Sequence, residues 1–160
     1  SLSLNYRHHF LSLRYLFGFF ISFSRDKGIK KNLRINFVSE KKNILIIDDD
    51  GLITRTLCNL LQKEGYFATG TESSSEAIEQ AQESDYDLII ADIKMPELDG
   101  VETINRIQAL SKGHNKPQVP VVFITGYADD ESVQQAKQLG EVIFKPFDTS
   151  EFLNRITKYL

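Results

Sequence analysis

Cysteine is almost absent from this sequence, since Cys58 is the only one among 160 residues. A single cysteine cannot form a disulfide within the chain, so a fold held by internal disulfides is excluded. This composition fits a reducing compartment, and we expect the protein to be cytoplasmic. The residues around Cys58 have helical spacing, which favours a small buried apolar side chain over a reactive thiol.

No apolar run in the chain is long enough to cross a bilayer. The longest, YLFGFFISF at 15–23, has nine residues, whereas a spanning helix needs about 20. Basic residues precede this run as in a signal peptide, but no small-x-small cleavage site follows it. We predict no transmembrane segment, and a presequence or a membrane-surface anchor remains an alternative for this region.

Positive charge is scarce after residue 40. Residues 1–40 carry seven Lys and Arg against two Asp and Glu, a net charge of +5, whereas residues 41–160 carry twelve against twenty, a net charge of −8. We expect residues 1–40 to be an irregular, poorly ordered extension and 41–160 to form one domain. Because binding to phosphate backbones needs a basic face, the acidic domain argues against a nucleic-acid partner.

Short apolar runs alternate with amphipathic stretches throughout 41–160. The runs ILII, YFATG, DLIIAD, VPVVFIT and VIF predict five strands, and apolar residues at helical spacing predict five helices that follow them. Nearly continuous apolar strands separated by helices indicate a parallel sheet covered on both faces. The predicted fold class is therefore α/β, a doubly wound five-stranded parallel sheet with five helices.

Capping residues mark several of the predicted helix ends. Gly65 should end the first helix. Ser73, with Glu76 three residues later, has the pattern of a capping box that opens the second. Asp148 should begin the last helix, in which Tyr159 occupies an apolar position.

Polar side chains follow four of the five predicted strands. Strand one ends at Asp48 and Asp49, strand three at Asp92, strand four at Thr125 and strand five at Lys145. Ligands of open α/β sheets bind outside the carboxyl ends of the strands, near the point where the strand order reverses. We therefore expect these groups to share one site.

The chemistry of such a site follows from its charges. Neighbouring carboxylates repel one another, and a hard divalent cation such as Mg²⁺ relieves that repulsion. A metal beside a carboxylate and a lysine also suits a phosphoryl group, with the cations neutralising its oxygens while a carboxylate attacks. An aspartyl-phosphate is the product that this chemistry predicts.

Four ordered motifs within 41–160 resemble the receiver domain of bacterial-type response regulators in two-component signalling. ILIIDDD resembles the acidic-pair motif of that family, DLIIADIKMPELDG its phosphoacceptor motif, VVFITG its hydroxyl motif and FKPF its lysine motif. The resemblance implies a flavodoxin-like receiver fold. It also implies a phosphoprotein that takes a phosphoryl group from a histidine kinase or a histidine-phosphotransfer protein.

The resemblance also implies a role for each matched residue. Asp92 would accept the phosphoryl group, and it would share Mg²⁺ with Asp49 directly, with Asp48 through water and with the backbone carbonyl of Lys94. Thr125 would bind one phosphoryl oxygen.

Lys145 would pair with another phosphoryl oxygen, and a cis peptide bond would precede Pro146. Asp50 lies beyond the acidic pair, and its position favours a helix cap or a turn.

Two other hypotheses differ in class. DDDG also resembles the opening motif of haloacid-dehalogenase-type phosphatases, with Asp48 as nucleophile and Asp50 as general acid. Thr125 and Lys145 would have supporting roles. Against this hypothesis, that family places a further acidic metal motif after its lysine. The hypothesis also leaves the motif DIKMP unexplained. The third hypothesis is a receiver-like module that binds partners without being phosphorylated.

The sequence departs from the family pattern at Val142. Most receivers carry Phe or Tyr three residues before the lysine, and valine has no ring to swing. FITGY resembles a subgroup of stand-alone receivers without that aromatic residue. We therefore expect the loop 126–130, with Tyr127, to move instead, and we expect a stand-alone receiver that relays phosphate or docks on a partner.

Overall fold

The computed structural model describes residues 41–113, 117–126 and 131–160. Its strands are β1 (Asn43–Ile47), β2 (Phe67–Thr71), β3 (Leu88–Asp92), β4 (Val121–Thr125) and β5 (Glu141–Phe144). Its helices are α1 (Gly51–Lys63), α2 (Ser74–Glu83), α3 (Gly100–Gly113), α4 (Glu131–Leu139) and α5 (Thr149–Ile156), and a 3₁₀ helix, Thr157–Tyr159, follows α5. The predicted extension, 1–40, lies outside the described residues.

The five strands form one parallel sheet in the order β2-β1-β3-β4-β5. The chain moves from β1 to one side, returns past β1 to β3, and then continues in the opposite direction. The strand order therefore reverses between β1 and β3, which is where ligands of doubly wound sheets bind. The predicted fold class is confirmed.

Alternating side chains of the central strands build a separate core on each face of the sheet. Leu45, Ile89 and Phe123 point to the face covered by α2, α3 and α4. The residues between them point to the face covered by α1 and α5, where the core includes Ile46, Ile90, Ile124, Leu57 and Phe152. Because each fully buried large apolar side chain contributes about 1.5–3 kcal/mol, these cores hold the strand ends in fixed positions.

The predicted helix ends agree with the structure in most cases. Asp50 caps α1 by accepting hydrogen bonds from the backbone amides of Leu52 and Ile53. After α1, Gly65 has a φ of +94°, and the amide of Tyr66 donates to the carbonyl of Leu61, which completes a Schellman end.

Asp148 caps α5 in the same way as Asp50, through the amides of Ser150 and Glu151. These caps fix where each helix starts relative to the sheet edge.

Two local predictions were wrong. Ser73 does cap α2, but the carboxylate of Glu76 accepts a 2.7 Å hydrogen bond from the Thr71 hydroxyl rather than closing a capping box. Tyr159 is not an apolar helix position, because α5 ends at Ile156 and the Tyr159 ring is partly exposed while its hydroxyl donates to Glu141. Within the described ranges, no helix combines the length and the apolar character that a membrane span requires.

Candidate functional site

Three charged side chains meet at the carboxyl edge of the sheet. Asp48 directly follows β1, Asp92 ends β3 and Lys145 directly follows β5. The Lys145 Nζ atom lies 2.8 Å from Asp48 Oδ2 and 2.7 Å from Asp92 Oδ1. The aspartate side chains are only 2% and 8% exposed, whereas that of Lys145 is 23% exposed. One ammonium group therefore bridges two buried carboxylates at the point where the strand order reverses.

Asp92 is held by its own loop as well as by the lysine. The backbone amide of Lys94 donates a 2.6 Å hydrogen bond to Asp92 Oδ2, so each carboxylate oxygen has a donor. Burial raises the pKa of Asp92, and the charge of Asp48 adds to this effect. The bonds from Lys145 and Lys94 oppose the change without cancelling it. Asp92 is thus a buried carboxylate whose protonated form is favoured more than that of an ordinary aspartate.

In Lys145, the neighbouring carboxylates together have a larger effect on the pKa than burial has. Burial by itself disfavours its charged form, but the hydrogen bonds and charges of Asp48 and Asp92 outweigh burial and raise the pKa of Lys145. The backbone amide of Lys145 donates a 2.7 Å bond to the carbonyl of Thr125, and the Lys145–Pro146 peptide bond is cis, as predicted. Lys145 is therefore a fixed positive charge in the site.

The three consecutive aspartates have three different environments. Asp48 is buried, and its Oδ1 accepts a 2.9 Å bond from the amide of Asp50. Asp49 is exposed, and Asp50 is the cap of α1. The first aspartate therefore faces the site and the third caps the helix, whereas the assignment of Asp49 as a direct metal ligand stays a prediction.

Thr125 lies beside the charged cluster as the last residue of β4. It is fully buried and pairs in register with Phe144, the residue before Lys145. Side chains at paired positions of parallel strands point to the same face, so Thr125 and Phe144 are neighbours. The predicted hydroxyl, carboxylate and lysine groups thus all come from adjacent strand ends.

The donor groups of this site fit Mg²⁺. Two buried carboxylates already share one cationic group, and Mg²⁺ binds through one or two carboxylates while it keeps several waters. Asp49 and Lys94 each lie two residues beyond the end of a strand, and the exposed Asp49 carboxylate and the Lys94 backbone carbonyl are the further oxygen ligands that the sequence predicts. Among residues 41–113, 117–126 and 131–160, no three His, Cys, Asp or Glu side chains form a ready-made metal cluster. A bound Mg²⁺ would therefore need water and backbone ligands as well as carboxylates.

Three structural contributors escaped the sequence analysis. Gly100 is required because a Cβ atom there would lie 2.0 Å from the Asp92 carbonyl oxygen. The buried hydroxyl of Ser74 donates to the carbonyl of Leu98 in the loop that follows Asp92. The hydroxyl of Thr54 donates to the carbonyl of Asp48. In the sequence, the only signal for these roles is a small or hydroxyl residue at a position that apolar spacing would fill.

The expected moving element is mostly outside the described residues. Tyr127 and the three residues after it are not described, so the prediction for the loop 126–130 stays a prediction. Val142 is described, and it packs in the core on the face of α2, α3 and α4. No aromatic ring occupies that position.

The comparisons with known proteins agree with this geometry. The model of the response regulator receiver domain matches residues 44–157. The chain is 34% identical over 125 residues to the response regulator receiver protein CpdR of Brucella abortus, covering 74% of this chain and 97% of that protein. It is 30% identical to sporulation initiation phosphotransferase F of Bacillus subtilis, covering 74% of this chain and 94% of that one.

Among solved structures, the response regulator TrrA of Thermotoga maritima in complex with Mg²⁺ and BeF is similar at a TM-score of 0.64 and 30% identity. The similarity covers 74% of this chain and 99% of that one. The residues that the family model matches, 44–157, include Asp48, Asp92 and Lys145. The chain therefore belongs to the family of response regulator receiver domains of two-component systems.

Proposed function

We propose that this protein is the phosphoacceptor of a two-component or phosphorelay system and that Asp92 takes a phosphoryl group from a phosphohistidine. The observation that carries the proposal is the position of Lys145 Nζ, within 2.8 Å of Asp48 and 2.7 Å of Asp92. A cation held beside a buried carboxylate is what in-line phosphoryl transfer to an aspartate requires.

In the proposed transfer, a carboxylate oxygen of Asp92 bonds to phosphorus while the bond from phosphorus to the imidazole nitrogen breaks. The imidazole leaves with the electron pair of that bond. Lys145 stays charged throughout because two carboxylates stabilise its ammonium, so it can neutralise a phosphoryl oxygen. Thr125 supplies a hydroxyl at the neighbouring strand end to bind another oxygen.

Mg²⁺ fits this proposal as the cofactor. We assign it to Asp49 directly, to Asp48 through water, to Asp92 and to the backbone carbonyl of Lys94. When bound, it would neutralise charge on the phosphoryl oxygens. The relationship to TrrA, whose structure is in complex with Mg²⁺ and BeF, supports Mg²⁺ as the cofactor.

The proposed donor is a histidine kinase or a histidine-phosphotransfer protein, in the cytoplasm. The relationship to sporulation initiation phosphotransferase F supports participation in phosphotransfer. The protein would act as a signalling phosphoacceptor whose only catalysis is its own phosphorylation and dephosphorylation. It would signal by conformational change or by passing the phosphoryl group on, without binding nucleic acid.

The test is incubation with Mg²⁺ and acetyl phosphate, followed by intact mass measurement and peptide mapping. We expect one phosphoryl group at Asp92 and none in Asp92→Asn. The matched control is Asp87→Asn, because Asp87 lies at the opposite edge of the sheet, before β3, and should not affect labelling. Full labelling of Asp92→Asn would contradict the proposal.

Labelling at Asp48 would instead favour the phosphatase alternative. The geometry gives that alternative little support, because the carboxylate of Asp50, its general acid, is engaged by two backbone amides of α1. Absence of labelling by acetyl phosphate and by kinases would favour a receiver that acts without phosphorylation.

A further inference from the structure

The hydroxyl of Thr54 links helix α1 to the acidic end of β1. Thr54 is 5% exposed. Its Oγ1 lies 2.9 Å from the carbonyl oxygen of Asp48 and 3.1 Å from that of Asp50. A hydroxyl has one proton to donate, so these two carbonyls share it. The two accepting residues flank Asp49.

The bond to Asp48 sets Thr54 apart from Thr56 on the same helix and from Thr103 on α3. Thr56 and Thr103 each donate to the carbonyl four residues earlier, which is an ordinary local bond within a helix. Thr54 makes that local bond to Asp50, but it also reaches a residue six positions back, outside the helix. A residue that served α1 alone would not need this second acceptor.

The packing around Thr54 leaves the hydroxyl little freedom to turn away. A Cβ atom at Gly70 of β2 would lie 2.3 Å from Thr54 Cγ2 and 3.0 Å from Cys58 Sγ. The methyl group of Thr54 therefore occupies the space that a side chain at residue 70 would need. Gly70 and Thr54 are a matched pair, and together they set the direction of the hydroxyl.

The same segment is held from the other side. The amide of Asp48 donates a 3.2 Å hydrogen bond to the carbonyl of Thr71, and the amide of Asp50 donates to Asp48 Oδ1. With the carbonyls of Asp48 and Asp50 bound to Thr54, the backbone on both sides of Asp49 is restrained. The Asp49 side chain is left exposed at the rim of the site.

We propose that Thr54 is a positioning residue for the acidic pair: its hydroxyl fixes the backbone that carries Asp48 and Asp49 in the orientation that binds Mg²⁺. The proposal rests on the assignment of Mg²⁺ to these aspartates under the proposed function. It adds that a buried hydroxyl on α1, which touches neither the metal nor the phosphoryl group, sets the affinity for the metal.

The experiment compares three variants of the full chain by calorimetric titration with Mg²⁺ and by urea unfolding in metal-free buffer. Thr54→Val keeps the shape and removes the donor, Thr54→Ser keeps the donor, and Thr56→Val removes an exposed hydroxyl from the same helix. Since loss of a group that orients metal ligands commonly weakens metal binding by 10–100-fold, we expect about tenfold weaker Mg²⁺ binding in Thr54→Val. Thr54→Ser and Thr56→Val should bind as the wild type does.

A second route avoids removal of the hydroxyl. Gly70→Ala should push Thr54 Cγ2 aside and weaken Mg²⁺ binding, and the double variant Gly70→Ala with Thr54→Ser should recover affinity because the clashing methyl group is gone. This recovery distinguishes positioning from general destabilisation. It also keeps the proposal testable if Thr54→Val fails to fold.

The proposal is overturned if Thr54→Val folds and binds Mg²⁺ as tightly as the wild type, whether or not its free energy of unfolding is lower. It is also overturned if the double variant binds no better than Gly70→Ala. Failure of the proposed function has a different signature, since the wild type itself would then neither bind Mg²⁺ nor become labelled at Asp92.

Discussion

The backbone amide of Lys145 donates a 2.7 Å hydrogen bond to the carbonyl oxygen of Thr125. This bond continues the β4–β5 ladder by one residue beyond the last strand pair, Thr125 with Phe144. The backbones that carry the ammonium and the hydroxyl are therefore joined at one sheet edge, and their register does not depend on the conformation of a loop. A site built this way is preorganised for a ligand that needs both groups.

Replacing Lys145 by alanine should destabilise the domain strongly at neutral pH. The substitution leaves Asp48 and Asp92 buried without their counter-ion, and removing one partner of a buried pair typically costs about 3–5 kcal/mol. Urea unfolding in metal-free buffer measures the loss. Lys42→Ala is the matched control, because the exposed Lys42–Asp87 pair should contribute no more than about 1 kcal/mol. Equal losses of unfolding free energy in the two variants would show that burying the carboxylates of the site without Lys145 costs little.

Asp92→Asn should stabilise the metal-free protein, and the gain should depend on pH. Burial raises the pKa of Asp92 in the folded state, so the folded protein holds this proton more tightly than the unfolded chain does. Between the ordinary pKa and the raised one, the free energy of unfolding falls as pH rises. The wild type thus carries the full penalty at neutral pH, and Asp92→Asn does not carry it.

Urea unfolding of the wild type and of Asp92→Asn at about pH 4 and about pH 7 tests the direction of this pH dependence. The advantage of Asp92→Asn should be larger at the higher pH. A variant that is less stable than the wild type at neutral pH would mean that the bond from Lys145 outweighs the cost of burial.

The charged cluster could be predicted from the sequence because the carboxyl ends of parallel strands always share one edge. Once the apolar runs ILII, DLIIAD and VIF are assigned as strands, Asp48, Asp92 and Lys145 are brought together whatever the loops do. The cap at Asp50 was predictable for a similar reason, since it depends only on neighbouring residues.

Side-chain partners that lie outside a local motif could not be predicted in this way. Ser73 and Glu76 have the spacing of a capping box, yet the Thr71 hydroxyl donates to the Glu76 carboxylate and accepts the hydrogen bond of the Ser73 amide. Tyr159 fits a helical stripe, but its hydroxyl is bound by Glu141, eighteen residues earlier. Local spacing carries no information on such partners.

Glu97→Asn should stabilise the domain. Glu97 has a φ of +69°, in the left-handed region, within the loop between Asp92 and α3. Most residues with a Cβ pay about 1–2 kcal/mol there, and asparagine pays less because its short polar side chain can hydrogen-bond to the local backbone. Thermal or urea unfolding should show a gain of about 0.5–1 kcal/mol. Glu97→Ala is the control, since alanine lacks the short polar side chain that favours this conformation and should bring no comparable gain.

Glu141→Gln should destabilise the domain at neutral pH and much less in acid. Glu141 accepts a 2.6 Å bond from Arg155 Nε and a 2.7 Å bond from the Tyr159 hydroxyl. Burial by itself would raise the pKa of Glu141. These bonds and the nearby positive charges of Arg155 and Lys158 outweigh burial and lower that pKa. A lowered carboxylate pKa gives stability that is present above the ordinary pKa and is lost as pH falls through the lowered one.

The expected loss in Glu141→Gln is about 1–2 kcal/mol at pH 7, because bonds to a charged acceptor are stronger than those to a neutral amide. Urea unfolding between about pH 3 and pH 7 follows its disappearance. Tyr159→Phe is the companion variant, since it removes one of the two bonds and should cost less. A loss that does not change with pH would show that the charge of Glu141 is not involved.

The last prediction concerns how the environment of Val142 responds when Asp92 is phosphorylated. This residue is nearly buried in the core, among side chains that include Val133 and Ala136. Its carbonyl accepts a 2.8 Å bond from Arg155 Nη2, which ties β5 to α5. A stiff β-branched side chain on a strand held in this way has no second position to adopt. We therefore expect only small changes in the environment of Val142 when Asp92 carries a phosphoryl group.

Amide chemical shifts recorded before and after addition of Mg²⁺ and beryllofluoride measure this response. We expect the largest distal changes in 125–139, which includes the loop after β4 and helix α4, and small ones at Val142. Arg155→Lys is an informative variant, because the single ammonium cannot bind Glu141 and the Val142 carbonyl with the fork geometry of arginine. If the chemical-shift changes in β5 are small because Arg155 restrains that strand, the changes at Val142 should be larger in Arg155→Lys. Large changes at Val142 and α5 in the wild type, with a quiet loop after β4, would contradict this mechanism.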